Sequence, residues 1–131
     1  MSGKATFKHI ITVDASDIDQ MGHVNNVVYL RYVQEVAESH WKHIVDVELQ
    51  QTILWVVLRH EIDYIKPAFE GEVLTGETWV EEPSGPKMGR RVVLCNVKGE
   101  VLIEAFTMWC AISAETLRPM RVSEELYGRF L

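Results

Sequence analysis

Residues 26–44 read Asn-Val-Val-Tyr-Leu-Arg-Tyr-Val-Gln-Glu-Val-Ala-Glu-Ser-His-Trp-Lys-His-Ile, and this stretch decides the fold. Apolar residues recur in it at i, i+3, i+7, i+11 and i+14, which is typical of one stripe along an α-helix. The stripe consists of Leu30, Val33, Ala37, Trp41 and Ile44. Four further apolar residues widen it: Val28, Tyr29, Tyr32 and Val36. At 1.5 Å per residue the predicted helix is roughly 28 Å long, and a helix so apolar needs other elements to wrap it.

The rest of the chain predicts strands that can do so. Runs rich in strand-forming residues cover 7–13, 53–66, 73–82, 90–97 and 101–113, and turn residues separate the later ones. The last run is largely apolar on both faces, which predicts a helix against one face of the sheet and a second subunit against the other. Residues 119–131 are predicted to form a short terminal helix, with Ser123 as its N-cap. The pattern indicates an α+β fold, in which an antiparallel sheet of about five strands is wrapped round one long central helix.

Length and charge limit the functional classes. The 131 residues fit a single domain over 1–131. The formal net charge of −6 argues against general nucleic-acid binding, which needs clustered Lys and Arg. No apolar run of about 18 residues predicts a membrane span, and the first residues do not resemble a secretory signal. Cys95 and Cys110 lie in apolar runs and are expected to be free thiols, as in a cytoplasmic protein.

The segment Asp17-Ile-Asp-Gln-Met-Gly-His-Val-Asn-Asn26, just before the helix, holds the candidate chemistry. Alternating carboxylates before a glycine invite comparison with a calcium-binding loop. However, Met21 stands where an oxygen ligand is needed, and Val28 where the closing glutamate should be. Zinc is also disfavoured, because only His23 and two carboxylates are local ligands. We therefore expect neither a metal nor an organic cofactor.

A carboxylate beside a helix start indicates another chemistry. The first amides of a helix carry partial positive charge and can hold a developing oxyanion. Asp19 lies a few residues before that start, where it could attack a carbonyl carbon or deprotonate a water. Thioesters suit this arrangement because a thiolate leaves readily. In a purely structural interpretation Asp17 and Asp19 only stabilise a turn and the helix dipole, and the residues alone leave both interpretations open.

A family resemblance favours the catalytic interpretation. The sequence from Asp17 to Leu30 resembles the signature of the 4-hydroxybenzoyl-CoA thioesterase-like hotdog family. It is also similar to the plant acyl-ACP thioesterases, whose corresponding segment reads Asp-Leu-Asp-x-Asn-x-His-Val-Asn-Asn. The run Asp63-Tyr-Ile-Lys-Pro67 and the turn Gly71-Glu-Val-Leu74 resemble the family as well, so the resemblance covers nearly the whole chain. It implies a hotdog fold and hydrolysis of an acyl-CoA or acyl-ACP thioester.

The resemblance also implies roles for single residues. Asp19 matches the catalytic carboxylate that acts as nucleophile or general base, and Asn26 falls where a helix-start amide polarises the thioester carbonyl. His23 matches the histidine that orients or activates the carboxylate or water in the plant-type motif, whereas Met21 replaces the plant-type asparagine. Asn25 or Asn26 is expected to cap the helix, and Asn25 is a further candidate for substrate contact. Asp63 falls near a glutamate of the plant enzymes.

The last expectations concern the ligand and the oligomeric state. Arg90 and Arg91, close to Lys87, could hold the phosphates of a CoA ester, although solvated surface charge is the ordinary interpretation of such a cluster. The resemblance implies a homodimer or homotetramer, with the substrate lying between subunits. Two alternatives stay open: a hotdog hydratase or dehydratase, and a non-catalytic module that binds acyl-CoA.

Overall fold

The computed structural model describes residues 6–131, which form one antiparallel sheet, one long helix and two short helices. The strands are β1 (Phe7–Thr12), β2 (Ile53–Tyr64), β3 (Val73–Val80), β4 (Lys87–Cys95) and β5 (Val101–Ser113). The helices are α1 (Asn26–Ile44), α2 (Val47–Gln50) and α3 (Glu124–Arg129), and a single 3-10 turn spans Ala15–Asp17. The predicted order of a strand, a long helix and four further strands is confirmed.

The five strands lie in the order β1-β3-β4-β5-β2, so β1 and β2 form the two edges of the sheet. Successive strands from β3 to β5 are joined by short connections, as antiparallel neighbours allow. The strand after α1 crosses to the far edge and pairs with β5, where Trp55 lies opposite Ala111 and Tyr64 opposite Ile103. The shift in register between Val57 and Arg59 marks a bulge in this edge strand.

Helix α1 packs across one face of the sheet and forms the core. Its Tyr32, Val33 and Val36 are buried together with side chains from β3, β4 and β5, among them Leu74, Val92 and Ile103. The helix approaches the sheet closely at Gly76, because a Cβ placed there would lie 2.5 Å from Cγ2 of Val36. A sheet curved round one long helix is the hotdog fold, so the predicted fold class is confirmed.

The element boundaries correct two expectations and add one helix. Strand β4 begins at Lys87 and not at Arg90, because Ser84 and Lys87 close the preceding turn by exchanging backbone hydrogen bonds. The terminal helix begins only at Glu124, with Ser123 as its N-cap as predicted. The residues before it are extended, since the amide of Met120 donates to the carbonyl of Ala111 at 2.9 Å. The single-turn helix α2 was not predicted; Asp46 caps it.

Two further expectations concern membrane-spanning helices and the state of the cysteines. Within residues 6–131 no helix has both the length and the apolar character needed to cross a membrane. Cys95 and Cys110 are both free thiols, as predicted, and Cys110 is buried.

Candidate active site

The segment between β1 and α1 folds into a tight loop over residues 18–24. Ile18 and Val24 form an isolated antiparallel bridge at its base. The amide of Asp19 donates to the carbonyl of His23 at 2.8 Å, and the amide of Gly22 donates to the carbonyl of Asp19 at 3.1 Å. Gly22 has φ +80°, a conformation that glycine adopts without steric cost. The sequence thus builds a closed turn that holds Asp19 at its start.

This loop orients the Asp19 carboxylate through only one of its two oxygens. Its Oδ1 accepts hydrogen bonds from the amides of Met21 (2.8 Å) and His23 (3.3 Å). Its Oδ2 has no hydrogen-bond partner within residues 6–131, and the residue is exposed. One oxygen therefore fixes the side chain, and the other is available for chemistry.

Asp17 has a structural role. The residues alone left such a role open for both Asp17 and Asp19. The Asp17 side chain is 3% exposed and accepts from Arg31 Nη2 at 2.5 Å and from the Tyr32 hydroxyl at 2.6 Å. Burial alone would raise the pKa of Asp17, but the hydrogen bonds from Tyr32 and Arg31 outweigh it and hold the pKa below its usual value. Asp17 is thus an ionised anchor that ties the loop to the first turns of α1.

The start of α1 presents one unused backbone donor. Asn25, one of the two predicted candidates, is the N-cap, and its Oδ1 accepts from the amide of Val27 at 3.0 Å. The amide of Val28 donates to the Asn25 carbonyl at 2.8 Å. Within the described part of the chain the amide of Asn26 has no acceptor, as is usual for the first residue of a helix. This donor carries the partial positive charge of the helix start.

Asp19 and Asn26 line the same open groove, which has a volume of about 440 Å³. Tyr29 and Tyr64 form part of its wall, with their rings 5.7 Å apart. The segment after β2 closes the far side, where the amide of Ala68 donates to the Tyr29 hydroxyl at 2.9 Å. The groove is thus lined by one residue with an unpaired carboxylate oxygen and one with an unpaired backbone amide within residues 6–131.

His23 also lines the groove, but its ring does not touch the Asp19 carboxylate. The ring packs edge-on against Phe69, with the centroids 5.3 Å apart. The contact between His23 and Asp19 runs through the backbone amide of His23. In the structure His23 therefore orients the carboxylate by its main chain.

The two arginines expected to bind phosphates lie on opposite faces of β4, and neither lines the groove. Arg90 is 4% exposed, and its Nη1 donates to Thr78 Oγ1 at 2.8 Å and to His40 Nδ1 at 3.0 Å. Its predicted role as a surface phosphate ligand is therefore corrected, because the guanidinium is enclosed in the core. Arg91 is exposed, donates to Glu81 at 3.3 Å and stacks over Phe106.

Asp63 lies on the outer face of the sheet, in a hollow that it shares with Arg91, Glu61 and Glu81. It does not line the groove that holds Asp19 in the same protomer. Two groove residues were missed as site candidates: Tyr64 and Lys66. Both residues lie in the run from Asp63 to Pro67, which resembles the family. That resemblance could have indicated them, but it assigned them no role. Lys66 brings a cation to the groove and pairs with Glu100 at 2.5 Å.

Known structures share this architecture. The structure of Slr0204, a 1,4-dihydroxy-2-naphthoyl-CoA thioesterase from Synechocystis, superposes with a TM-score of 0.83. The match covers 96% of each chain at 17% sequence identity, a level at which the likeness shows the fold alone.

Sequence comparison identifies the family. YneP of Bacillus subtilis, which carries the provisional name of acyl-CoA thioesterase, is 28% identical over 118 residues, 87% of this chain and 85% of its own. The uncharacterized protein Rv2001 of Mycobacterium tuberculosis is 30% identical over 116 residues, 88% of this chain. The chain spans only 45% of the length of Rv2001. Residues 4–130 match the acyl-ACP thioesterase N-terminal domain family across almost the entire sequence, and the chain therefore belongs to that family.

Proposed function

We propose that the protein hydrolyses the thioester of an acyl-CoA or acyl-ACP at the groove lined by Asp19 and Asn26. The observation that carries the proposal is the pair of unused groups there, Asp19 Oδ2 and the Asn26 amide. Asp17 is engaged by Arg31 and Tyr32, and Asn25 Oδ1 by Val27. Among the groups that line the groove, Asp19 Oδ2 suits the role of a base and the Asn26 amide that of an oxyanion donor.

In the proposed reaction the thioester carbonyl oxygen accepts a hydrogen bond from the Asn26 amide at the start of α1. As the carbonyl carbon becomes tetrahedral, negative charge develops on that oxygen, and the amide and the helix dipole stabilise it. The amide is fixed in place by the Asn25 cap. The donor therefore needs no reorganisation at the moment of reaction.

Asp19 acts on the other side of the carbonyl in one of two ways. As general base its Oδ2 takes a proton from water while the water oxygen bonds to the carbonyl carbon. The C–S bond then breaks, and the departing thiolate takes up the proton. As nucleophile Oδ2 itself bonds to the carbon and expels the thiolate, and water then hydrolyses the acyl-aspartyl anhydride. Both routes give a free carboxylic acid and a thiol.

Thioesters fit this site better than amides or oxygen esters, because a thiolate needs little acid assistance to leave. The ring of His23, which could serve as an acid, packs against Phe69 and makes no hydrogen bond to Asp19. The acyl-CoA substrate is supported by the names of YneP and Slr0204, and the acyl-ACP substrate by the family. Arg91 could meet a CoA phosphate only in competition with Glu81.

The proposal includes a homodimer or homotetramer. Strand β2 is an edge of the sheet, and it exposes Leu54, Val56 and Leu58 by 44%, 46% and 52%. An exposed apolar edge strand favours pairing with another strand, and a second copy of the chain would cover it. We also propose a cytoplasmic location and a single domain over residues 1–131.

The test offers the purified protein a panel of acyl-CoA and acyl-ACP thioesters and measures free thiol. We expect thiol release from at least one carrier, with the acyl acid as co-product. Binding of acyl-CoA without any thiol release would instead support the non-catalytic module. Hydration of an enoyl thioester without hydrolysis would support the hydratase.

A further inference from the structure

Tyr29 lies in the first turn of α1, and its side chain lines the groove that holds Asp19 and Asn26. Side chains of a helix lean toward its N-terminus, so a tyrosine at this position reaches back toward the helix start. The hydrogen bonds agree with that direction. The Tyr29 hydroxyl meets the amide of Ala68 at 2.9 Å, and the carbonyl of Ala68 accepts from the amide of Val24, just before the helix, at 2.9 Å.

The position of the Tyr29 hydroxyl is fixed by its surroundings. The residue is only 3% exposed, and its ring lies between those of Tyr32 and Tyr64, with centroid distances of 6.1 and 5.7 Å. The amide of Ala68, itself fully buried, donates to the hydroxyl oxygen. A hydroxyl that accepts from an amide on one side has to direct its own proton elsewhere.

The proton of this hydroxyl has no acceptor within residues 6–131. The two neighbouring tyrosines differ in this respect. Tyr32 donates to Asp17 at 2.6 Å, and Tyr64 donates to the carbonyl of Asn26 at 3.4 Å. Buried polar groups normally use their hydrogen-bonding capacity, and an exception calls for an explanation. Because Tyr29 lines the groove, its unused donor is available to a group that binds there.

The hydroxyl is a donor at every pH at which Asp19 can act as a base. Burial raises the pKa of Tyr29, and the charges of Glu72 and Asp19 act in the same direction, so the phenol stays neutral. In thioester hydrolysis the carbonyl oxygen gains negative charge and needs donors, whereas the Asp19 carboxylate repels it. Such donors combine backbone amides with side chains, tyrosine among them, in known oxyanion sites.

We propose that the Tyr29 hydroxyl is a second oxyanion donor, which binds the thioester carbonyl oxygen beside the Asn26 amide. The inference rests on the proposed hydrolysis and adds a side-chain donor to it. Negative charge develops on the carbonyl oxygen as the carbon becomes tetrahedral, and both donors of the first helical turn stabilise it. The charge leaves that oxygen when the C–S bond breaks and the thiolate departs. Tyr29 keeps its proton throughout.

The first test is Tyr29→Phe, which keeps the ring and removes the hydroxyl. We expect kcat for thiol release from the best thioester to fall by about 10² to 10³, while KM changes by no more than a few-fold. Tyr127→Phe is the matched control: it removes a hydroxyl from α3, outside the groove, and should keep the wild-type kcat. A folded Tyr29→Phe protein with a kcat within a few-fold of wild type overturns this inference and leaves the proposed function standing. A wild-type protein that releases no thiol overturns both.

Two CoA analogues separate a donor from a packing residue. Trifluoroacetonyl-CoA has an electrophilic ketone, which adds a nucleophile and then carries a tetrahedral oxyanion. S-(trifluoropropyl)-CoA has the same apolar group without a carbonyl oxygen. By calorimetry, Tyr29→Phe should weaken the ketone by about tenfold or more, as expected for one hydrogen bond to a charged group, and should leave the affinity for the second analogue unchanged. Equal weakening of both would assign Tyr29 to packing and overturn the proposal.

A third measurement serves if Tyr29→Phe does not fold. Difluorotyrosine at position 29 keeps the hydroxyl oxygen that Ala68 contacts, but its phenol is more acidic. A phenolate cannot donate, so kcat should fall over the pH range in which the phenolate absorption of the substituted residue grows. Circular dichroism checks that the protein stays folded over this range. A kcat that stays at the wild-type level while the substituted residue ionises would overturn the proposal.

Discussion

Asp17 and Asp19, two residues apart, have opposite environments. The Asp17 carboxylate is buried and held by Arg31 and Tyr32, whereas Asp19 is exposed with Oδ2 unpaired within residues 6–131. The first carboxylate fixes the loop against α1, and the loop then fixes the second one at the groove. Under the proposed function, stability and chemistry are divided between two aspartates of the same segment.

Asp17→Asn should lower the free energy of unfolding at pH 7 by about 2 kcal/mol, because charge-assisted hydrogen bonds to a buried group are lost. The folded pKa of Asp17 is depressed, so its contribution is fully present above the unfolded pKa of about 3.9 and is lost as the pH falls through the folded pKa. The difference between wild type and variant should therefore shrink below about pH 4. Urea unfolding at several pH values measures it, and a difference independent of pH would contradict the anchor role.

Asn25→Ala should cost about 1 kcal/mol of stability, because the Val27 amide loses its cap. Turnover should fall with it, since the Asn26 amide is positioned by the same helix start. Asn25→Ser restores a capping oxygen and should restore both stability and turnover. If the serine variant is stable but slow, Asn25 contacts the substrate directly.

His40 predicts a pH-dependent stability in the mildly acid range. Its folded pKa of about 4 lies below the unfolded value of about 6.5. Below pH 6.5 the unfolded chain therefore binds a proton that the folded protein excludes. Stability should fall as the pH is lowered from 6.5 to 4, by up to about 1.4 kcal/mol per unit from this group. His40→Gln keeps an acceptor for Arg90 and should show a shallower slope; an unchanged slope would speak against this assignment.

Gly76→Ala should destabilise the fold by about 1–3 kcal/mol, because the new methyl group would overlap Val36 of α1 and crowd Leu94. Gly128→Ala is the matched control: it lies in helix α3, and within residues 6–131 no atom beyond its chain neighbours and its own helix backbone lies within 4 Å of the new methyl position. The control should be neutral or slightly stabilising. Thermal unfolding of the two variants measures the difference, and equal melting temperatures would argue against a tight helix–sheet contact here.

The periodic parts of the fold were predictable from the sequence. The stripe from Leu30 to Ile44 predicted α1, and Asn25 or Asn26 was expected to cap it, because helical spacing and capping are local properties. The extended residues after Pro119 depend on a hydrogen bond to a distant carbonyl, from Met120 to Ala111, which no local pattern encodes. Helix α2 has only four residues and too little periodicity to be recognised.

The site was predictable only in part, for a similar reason. The resemblance selected Asp19 and Asn26 as functional residues, and their roles stay predictions. Arg90 points inward and Arg91 outward because of the register of β4 with its neighbouring strands. The presence of clustered charges in the sequence does not predict that register. Lys66 reaches the groove because β2 pairs with β5 at the far edge of the sheet, and that pairing is a long-range contact.

The most direct test of the central claim compares Asp19→Asn with wild type for thiol release from the best thioester of the panel. The asparagine keeps an Oδ1 for the amides of Met21 and His23, so the loop and the melting temperature should be preserved. Glu70→Gln, which removes an exposed carboxylate outside the groove, is the control and should leave turnover unchanged. We predict that kcat falls by about 10² to 10⁴ in Asp19→Asn while substrate binding is retained. A folded Asp19→Asn protein with a kcat within a few-fold of wild type would contradict the claim that Asp19 is the catalytic carboxylate.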